Sequence, residues 1–246
     1  MRRWWALAAG GVLALVLSAC GDGDGVPAGP VVTRVVPAPA GPARVVERGD
    51  ASRRVVALTF DAGEDPGAGS TEQILETLQR ERIRATFALT GVWAEQHRDL
   101  TLAIVAGGHQ IINGTYEGRS FTGASTDAPP LTERERSLGL SRTETTIYRM
   151  TLRSTRPYVR PPYGDVDEGV RRDAAALGYG VVVLWTFDTV DLGGPEVAQQ
   201  ALEAASPGVI YRLHVARSED AVALPAIIAE LRNGGYSFET VEEILR

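Results

Sequence analysis

The chain predicts an α/β protein whose sheet is mainly parallel, either open or closed into a barrel. Two observations carry this. From about residue 52 onward, seven short apolar runs alternate with amphipathic helical segments, the order expected of repeated βα units. Asp61, Arg160, Asp188 and His214 stand at or just past the ends of four different runs. Chemistry collects at such strand ends in α/β barrels. No internal repeat is visible.

Val55-Val-Ala-Leu-Thr-Phe60 is a continuous apolar run that stops at Asp61, as a buried strand does. Ser70 is placed to cap a helix carrying Ile74, Leu75 and Leu78 on one face. Ala85–Leu89 predicts the second strand, residues 94–105 a helix and Gln110–Ile112 the third strand. Glu133–Leu152 is polar and periodic, a long helix. Tyr158–Val159 is a short strand, and Glu168–Leu177 a helix ended by Gly178. Val181–Leu184, Val209–Leu213 and Tyr236–Glu239 complete the strands. Helices are expected at Glu196–Ala204, Leu224–Leu231 and Val241–Leu245.

The N-terminus reads differently. Arg2 and Arg3 precede an uncharged run, Trp4–Leu17, followed by Leu17-Ser18-Ala19-Cys20. The run is shorter than the roughly 20 residues of a spanning helix, so it reads as a signal peptide over residues 1–19. Leu-Ser-Ala-Cys resembles the lipobox of bacterial lipoproteins. The resemblance implies cleavage before Cys20 and lipid on its sulfur, giving an extracytoplasmic, membrane-anchored protein. Cys20 is the sole cysteine, which excludes an intramolecular disulfide. Residues 20–51 are rich in Gly, Pro, Ala and Val and read as a lipid-anchored tether. A strand pair through 31–36 and 45–46 is the alternative. Residues 52–246 are then the globular domain. A formal charge of −6 without a basic stripe argues against nucleic acid as a partner.

Three short segments carry a resemblance: Thr59-Phe60-Asp61, Arg160-Pro-Pro-Tyr-Gly164 and Leu213-His214. Ala85-Thr-Phe-Ala-Leu-Thr-Gly91 with Trp93, and Gly108-His-Gln-Ile, accompany them. In this order and spacing the chain resembles the polysaccharide deacetylases of carbohydrate esterase family 4, across about residues 54–241. The resemblance implies an irregular (β/α)7-type barrel and a cell-wall or other N-acetylated polysaccharide as partner. It also implies hydrolysis of N-acetyl groups with a divalent metal such as zinc, which polarises the carbonyl and activates water. By the same resemblance Asp61 is the general base and His214 the general acid. Arg160 would tune Asp61, and Asp188 would tune His214. Tyr163, Trp185 and Leu213 would form the acetyl pocket.

The chain departs from that family where the metal is held. The family's Asp/His/His triad falls on Ala62, Gly114 and Gly118. Ala62 alone decides little, since Phe-Asp-Ala-Gly is familiar among relatives, but glycine offers no donor atom at all. His97 is expected at the surface, and His109 at the end of its strand away from the site. Glu64, Asp65 and Glu117 could supply a carboxylate site for hard cations. The expectation is therefore a non-catalytic, glycan-binding or scaffold lipoprotein with no cofactor. An active N-deacetylase with an unusual metal site is the alternative, and a metal-independent hydrolase using Asp61 and His214 is a third reading, ranked last because it lacks an electrophile for the carbonyl oxygen.

Overall fold

The computed structural model describes residues 41–63, 69–190, 192 and 196–246. The signal segment, Cys20, and Glu64 and Asp65 lie outside the described residues, as do 31–36. The elements run β1 (Arg44–Val46), β2 (Val55–Ala62), α1 (Thr71–Glu81), β3 (Thr86–Leu89), α2 (Gly91–Gln96) and α3 (Arg98–Ala106). Then come β4 (Gln110–Asn113), α4 (Glu133–Thr151), β5 (Tyr158–Val159), α5 (Glu168–Ala176), β6 (Val181–Val183) and β7 (Phe187–Asp188). The chain ends with α6 (Glu196–Glu203), β8 (Ile210–His214), α7 (Ser218–Asn233), β9 (Ser237–Phe238) and α8 (Val241–Ile244).

All strand pairs in the sheet are parallel, in the order β1-β6-β5-β4-β3-β2-β8-β7, with β9 on β2. The run 181–188 pairs β5 at its start and β8 at its end, so the sheet curls round on itself. This is the irregular β/α barrel expected, and all seven anticipated strands are present.

Strand alternation sorts the side chains. Along β2, Val56, Leu58 and Phe60 join Ile74 and Leu78 of α1 and Leu224 and Ile227 of α7 in one core. Val55 and Ala57 instead join Ala88, Ile112, Val183 and Ile210 in the barrel interior, with Val241 and Ile244 of α8 beneath them. Each large apolar side chain buried this way contributes about 1.5–3 kcal/mol. The same inner rows turn polar toward the C-terminal ends of the strands. Thr59 and Asp61 follow on β2, and Arg212 and His214 on β8. Buried polar groups demand partners, and these find one another.

Local signals explain most of the helices. Thr132 and Glu135 form a reciprocal capping box for α4, Thr240 and Glu243 one for α8, and Asp167 caps α5 at Val170 N. Ser70 precedes α1 without a side-chain capping bond.

Three expectations change. Residues 44–46, placed in the tether, are β1: its register partners are Val181–Val183, and Ala43 is fully buried. The folded part therefore includes residues 43–46, upstream of 52, and β6 is a strand partner of 45–46; residues 31–36 lie outside the described residues. The physical cause is β6, whose pairing with β5 leaves its other side open to a β-branched pair. The helix expected over 94–105 is two helices, because His97 (φ −119°, ψ 55°) leaves helical geometry between them. α7 starts at Ser218 and carries Pro225 in its interior, where a pattern reading puts a helix start.

Candidate functional site

Asp61 is the penultimate residue of β2 and stands opposite His214 of β8. One carboxylate oxygen accepts from Arg160 Nη1 at 2.7 Å, the other from Arg212 Nε at 2.6 Å. Arg160, just past β5, has a side chain only 2% exposed. It also donates to Thr59 Oγ1 (2.8 Å), to the Val183 carbonyl (3.2 Å) and to the Leu184 carbonyl (3.4 Å). Its position therefore depends on three strands.

Arg212 Nη1 reaches Asp188 Oδ2 at 2.8 Å, and Asp188 Oδ1 lies 3.0 Å from His214 Nε2. The Trp185 ring covers the Arg212 guanidinium at 4.3 Å. Asp220 Oδ2 accepts from the His214 backbone N–H at 2.7 Å and from the Thr189 hydroxyl, fixing the end of β8. A chain of charged groups thus runs Arg160–Asp61–Arg212–Asp188–His214.

The charges decide the protonation. Burial raises the Asp61 carboxyl, but the guanidinium groups of Arg160 and Arg212, with His214, outweigh it and hold its pKa below the ordinary carboxylate value. Burial also raises Asp188, yet the hydrogen bond with His214 and the charge of Arg212 bring it down to about 2. Both carboxylates are ionised at neutral pH.

Asp61, Arg160, Tyr163, Trp185 and Asp188 border one cleft of about 790 Å³. Tyr163 is 48% exposed at its mouth and holds a positive φ of 59°, an uncommon state for an aromatic residue. Gly164 follows at φ +74°, and a Cβ there would come within 3.1 Å of Trp185. The Arg160–Gly164 segment accordingly ends on a position where glycine avoids both backbone strain and crowding against Trp185.

Leu213 is elsewhere. It packs in the outer core, because alternation sends residues 212 and 214 inward and 213 outward. The acetyl-pocket role expected of Leu213 is corrected on that ground. The residue the sequence reading passed over is Arg212. It sits two before His214 on the same strand face, and that spacing was the available signal. Thr59, two before Asp61, is the second.

Ala62, Gly114 and Gly118 border the same cleft and present no donor side chain to it. A Cβ on Gly114 would fall 2.8 Å from the Leu89 carbonyl carbon and 2.9 Å from its oxygen. Gly118 has open space beside it but lies at φ +72°. Glu117 borders the cleft and is exposed. His109 is remote: its Nδ1 accepts from Ala85 N at 3.1 Å, and burial brings its pKa down to about 4. His97 is half-buried with its ring 4.9 Å from Trp93. Among the described residues, no three acidic, histidine or cysteine side chains are grouped to hold a metal ion.

Comparison with known proteins agrees with this fold. The polysaccharide deacetylase family profile matches residues 48–182. A peptidoglycan-N-acetylglucosamine deacetylase of Bacillus cereus is 30% identical over 203 residues, covering 79% of this chain and 90% of its own. PdaA of Bacillus subtilis, a family 4 carbohydrate esterase of known structure, is 27% identical with a TM-score of 0.72, covering 81% of this chain and 84% of its own. BA3943 of Bacillus anthracis, described as a CE4 family pseudoenzyme, is 26% identical with a TM-score of 0.73, covering 82% and 69%. A mutant of BA3943 with restored enzymatic activity aligns equally well. The chain belongs to the polysaccharide deacetylase family.

Proposed function

We propose that this protein is a cell-envelope lipoprotein whose deacetylase-like domain binds N-acetylated cell-wall polysaccharide without hydrolysing it. One observation carries the reading: Ala62, Gly114 and Gly118 border the cleft beside Asp61 and supply no metal-binding atom. A divalent metal such as zinc does not fit this donor set. Catalytic zinc sites ordinarily use three protein ligands, and both oxygens of Asp61 are already engaged by guanidinium groups. Without an electrophile for the carbonyl oxygen, amide hydrolysis loses a stabilising contribution of several kcal/mol. Asp61, Arg160, Asp188 and His214 are then inherited scaffold, and Tyr163 and Trp185 remain as aromatic contacts for a sugar.

The substrate class follows from relatives named as peptidoglycan deacetylases. Signal peptide, lipidation at Cys20 and outward localisation rest on residues 1–20 of the sequence. No helix among the described residues is long and apolar enough to cross a membrane. The alternative reading, an active N-deacetylase with an unusual metal site, is favoured only by the retained Asp188–His214 pair.

The test is elemental analysis of the purified full chain, combined with acetate release from peptidoglycan and chitooligosaccharide and a pull-down on insoluble peptidoglycan. Expected are no stoichiometric transition metal, no acetate above background, and retention on the glycan. Chelator-sensitive acetate release would promote the alternative. Absence of glycan retention would leave the binding role without support.

A further inference from the structure

The cleft holds two half-buried carboxylates, Asp61 and Asp188, and Arg212 touches both. Arg212 gives Nε to Asp61 at 2.6 Å and Nη1 to Asp188 at 2.8 Å, with its side chain 7% exposed. Arg160 does not do this; its remaining bonds go to Thr59 and to the carbonyls of Val183 and Leu184. The Arg212 guanidinium carbon lies over the Trp185 ring, 4.3 Å from its centroid. Two arginines and two aspartates leave these four side chains with no formal excess charge, so neither Asp61 nor Asp188 is an uncompensated anion for a further cation.

We propose that Arg212 is the resident cation of this cleft: its guanidinium, bridging Asp61 and Asp188 beneath Trp185, takes the electrostatic place of a divalent ion and excludes one. The inference rests on the reading that the cleft works without metal. It makes Arg212 a positioning residue, acting through Asp61 and Asp188 rather than on a ligand. A cation that bridges two carboxylates holds β2, β8 and the end of the 181–188 run in one geometry, which a bound ion does in metal-dependent sites. Arg suits the role because its guanidinium is planar, always charged and able to donate from two edges at once.

The experiment compares melting of the full chain and two variants, Arg212→Lys and Arg212→Met, each stripped with chelator and then supplied with millimolar magnesium, calcium or zinc chloride. Arg212→Met leaves two carboxylates short of a cation and should melt roughly 10 °C lower. One of the ions should recover at least half of that loss. Arg212→Lys keeps the charge but loses the two-edged fork, so it should melt between the parent and Arg212→Met and gain less from the ions than Arg212→Met does, while the parent should gain nothing. If Arg212→Met does not fold without an ion, its refolding yield from urea with and without the same salts gives the same comparison. An Arg212→Met variant that no ion rescues overturns the inference and leaves the proposed function standing, because a lost side chain is then all that was removed. Arg212→Lys as damaged as Arg212→Met overturns it too. A parent chain stabilised by zinc sinks the metal-free reading itself.

Discussion

Asp61 on β2 and His214 on β8 are register partners across parallel strands, and Arg212 and Asp188 link their side chains: Arg212 bonds both carboxylates, and Asp188 pairs with His214 Nε2. Both side chains are thereby tied into one chain of ion pairs and hydrogen bonds. The first prediction concerns the anchor of that chain. Arg160→Met removes a guanidinium with four partners and leaves Asp61 with one cation instead of two. Breaking a buried pair costs about 3–5 kcal/mol. Urea unfolding should register a loss in that range, and a loss below about 1 kcal/mol would mean that Arg212 alone suffices for Asp61.

The second prediction is the acid limb of stability. Asp188 has a folded pKa near 2, below its unfolded value of about 3.9. A carboxylate depressed in this way contributes stability that is full above the unfolded pKa and is lost as pH falls toward 2. His109 acts at higher pH. Its folded pKa of about 4 lies below the unfolded 6.5, so the unfolded chain binds the extra proton first. Stability should therefore fall between pH 6.5 and 4, by ~3 kcal/mol at most. His109→Gln should lower stability at pH 7, since Ala85 N–H loses its acceptor, but flatten that slope. Melting curves at pH 7, 6, 5 and 4 separate the two effects, and an unchanged slope in the variant would assign the acid limb elsewhere.

How far the sequence reached depended on which physical signal each residue left. Asp61, Arg160, Asp188 and His214 were legible because apolar runs end there. Arg212 was not, because an arginine inside Ile210-Tyr-Arg-Leu-His214 looks like an exposed strand position until the neighbouring strands are known. Its burial is created by Asp61 and Asp188, which lie far away in sequence. The role for Leu213 came from the family resemblance, whereas strand alternation puts its side chain in the outer core. A strand at 45–46 was only the alternative to a tether, because three residues after a proline-rich stretch carry almost no pattern and it is β6 that pairs with them.

The third prediction concerns attachment. Cys20→Ala removes the sulfur on which the lipobox reading depends. The altered protein should leave the membrane fraction, appearing outside the cytoplasm in soluble form or as an unprocessed precursor. If it sediments with membranes as the parent does, the attachment lies in another part of the chain.

The last prediction is that restoring the family's ligands will not by itself restore the metal. Ala62→Asp and Gly118→His differ from Gly114→His in what surrounds them. Beside Gly118 the nearest atom to an added Cβ is Thr90 Cγ2, 3.8 Å away, so space is available and only the positive φ is penalised, by about 1–2 kcal/mol. At Gly114 the added Cβ would lie 2.8 Å from a backbone carbon of Leu89, which cannot swing aside as a side chain does. Gly114 N also donates to the Leu89 carbonyl at 2.9 Å, holding the two segments together. Gly114→Ala should therefore cost more stability than Gly118→Ala, measured by urea unfolding. The triple change Ala62→Asp, Gly114→His, Gly118→His should be destabilised and take up well under one zinc per chain. Adding Arg212→Met to the triple variant removes the competing cation and should raise zinc uptake. One tightly held zinc in the triple variant with Arg212 intact would show that the loop moves to accommodate the ligands, and that Arg212 yields its place.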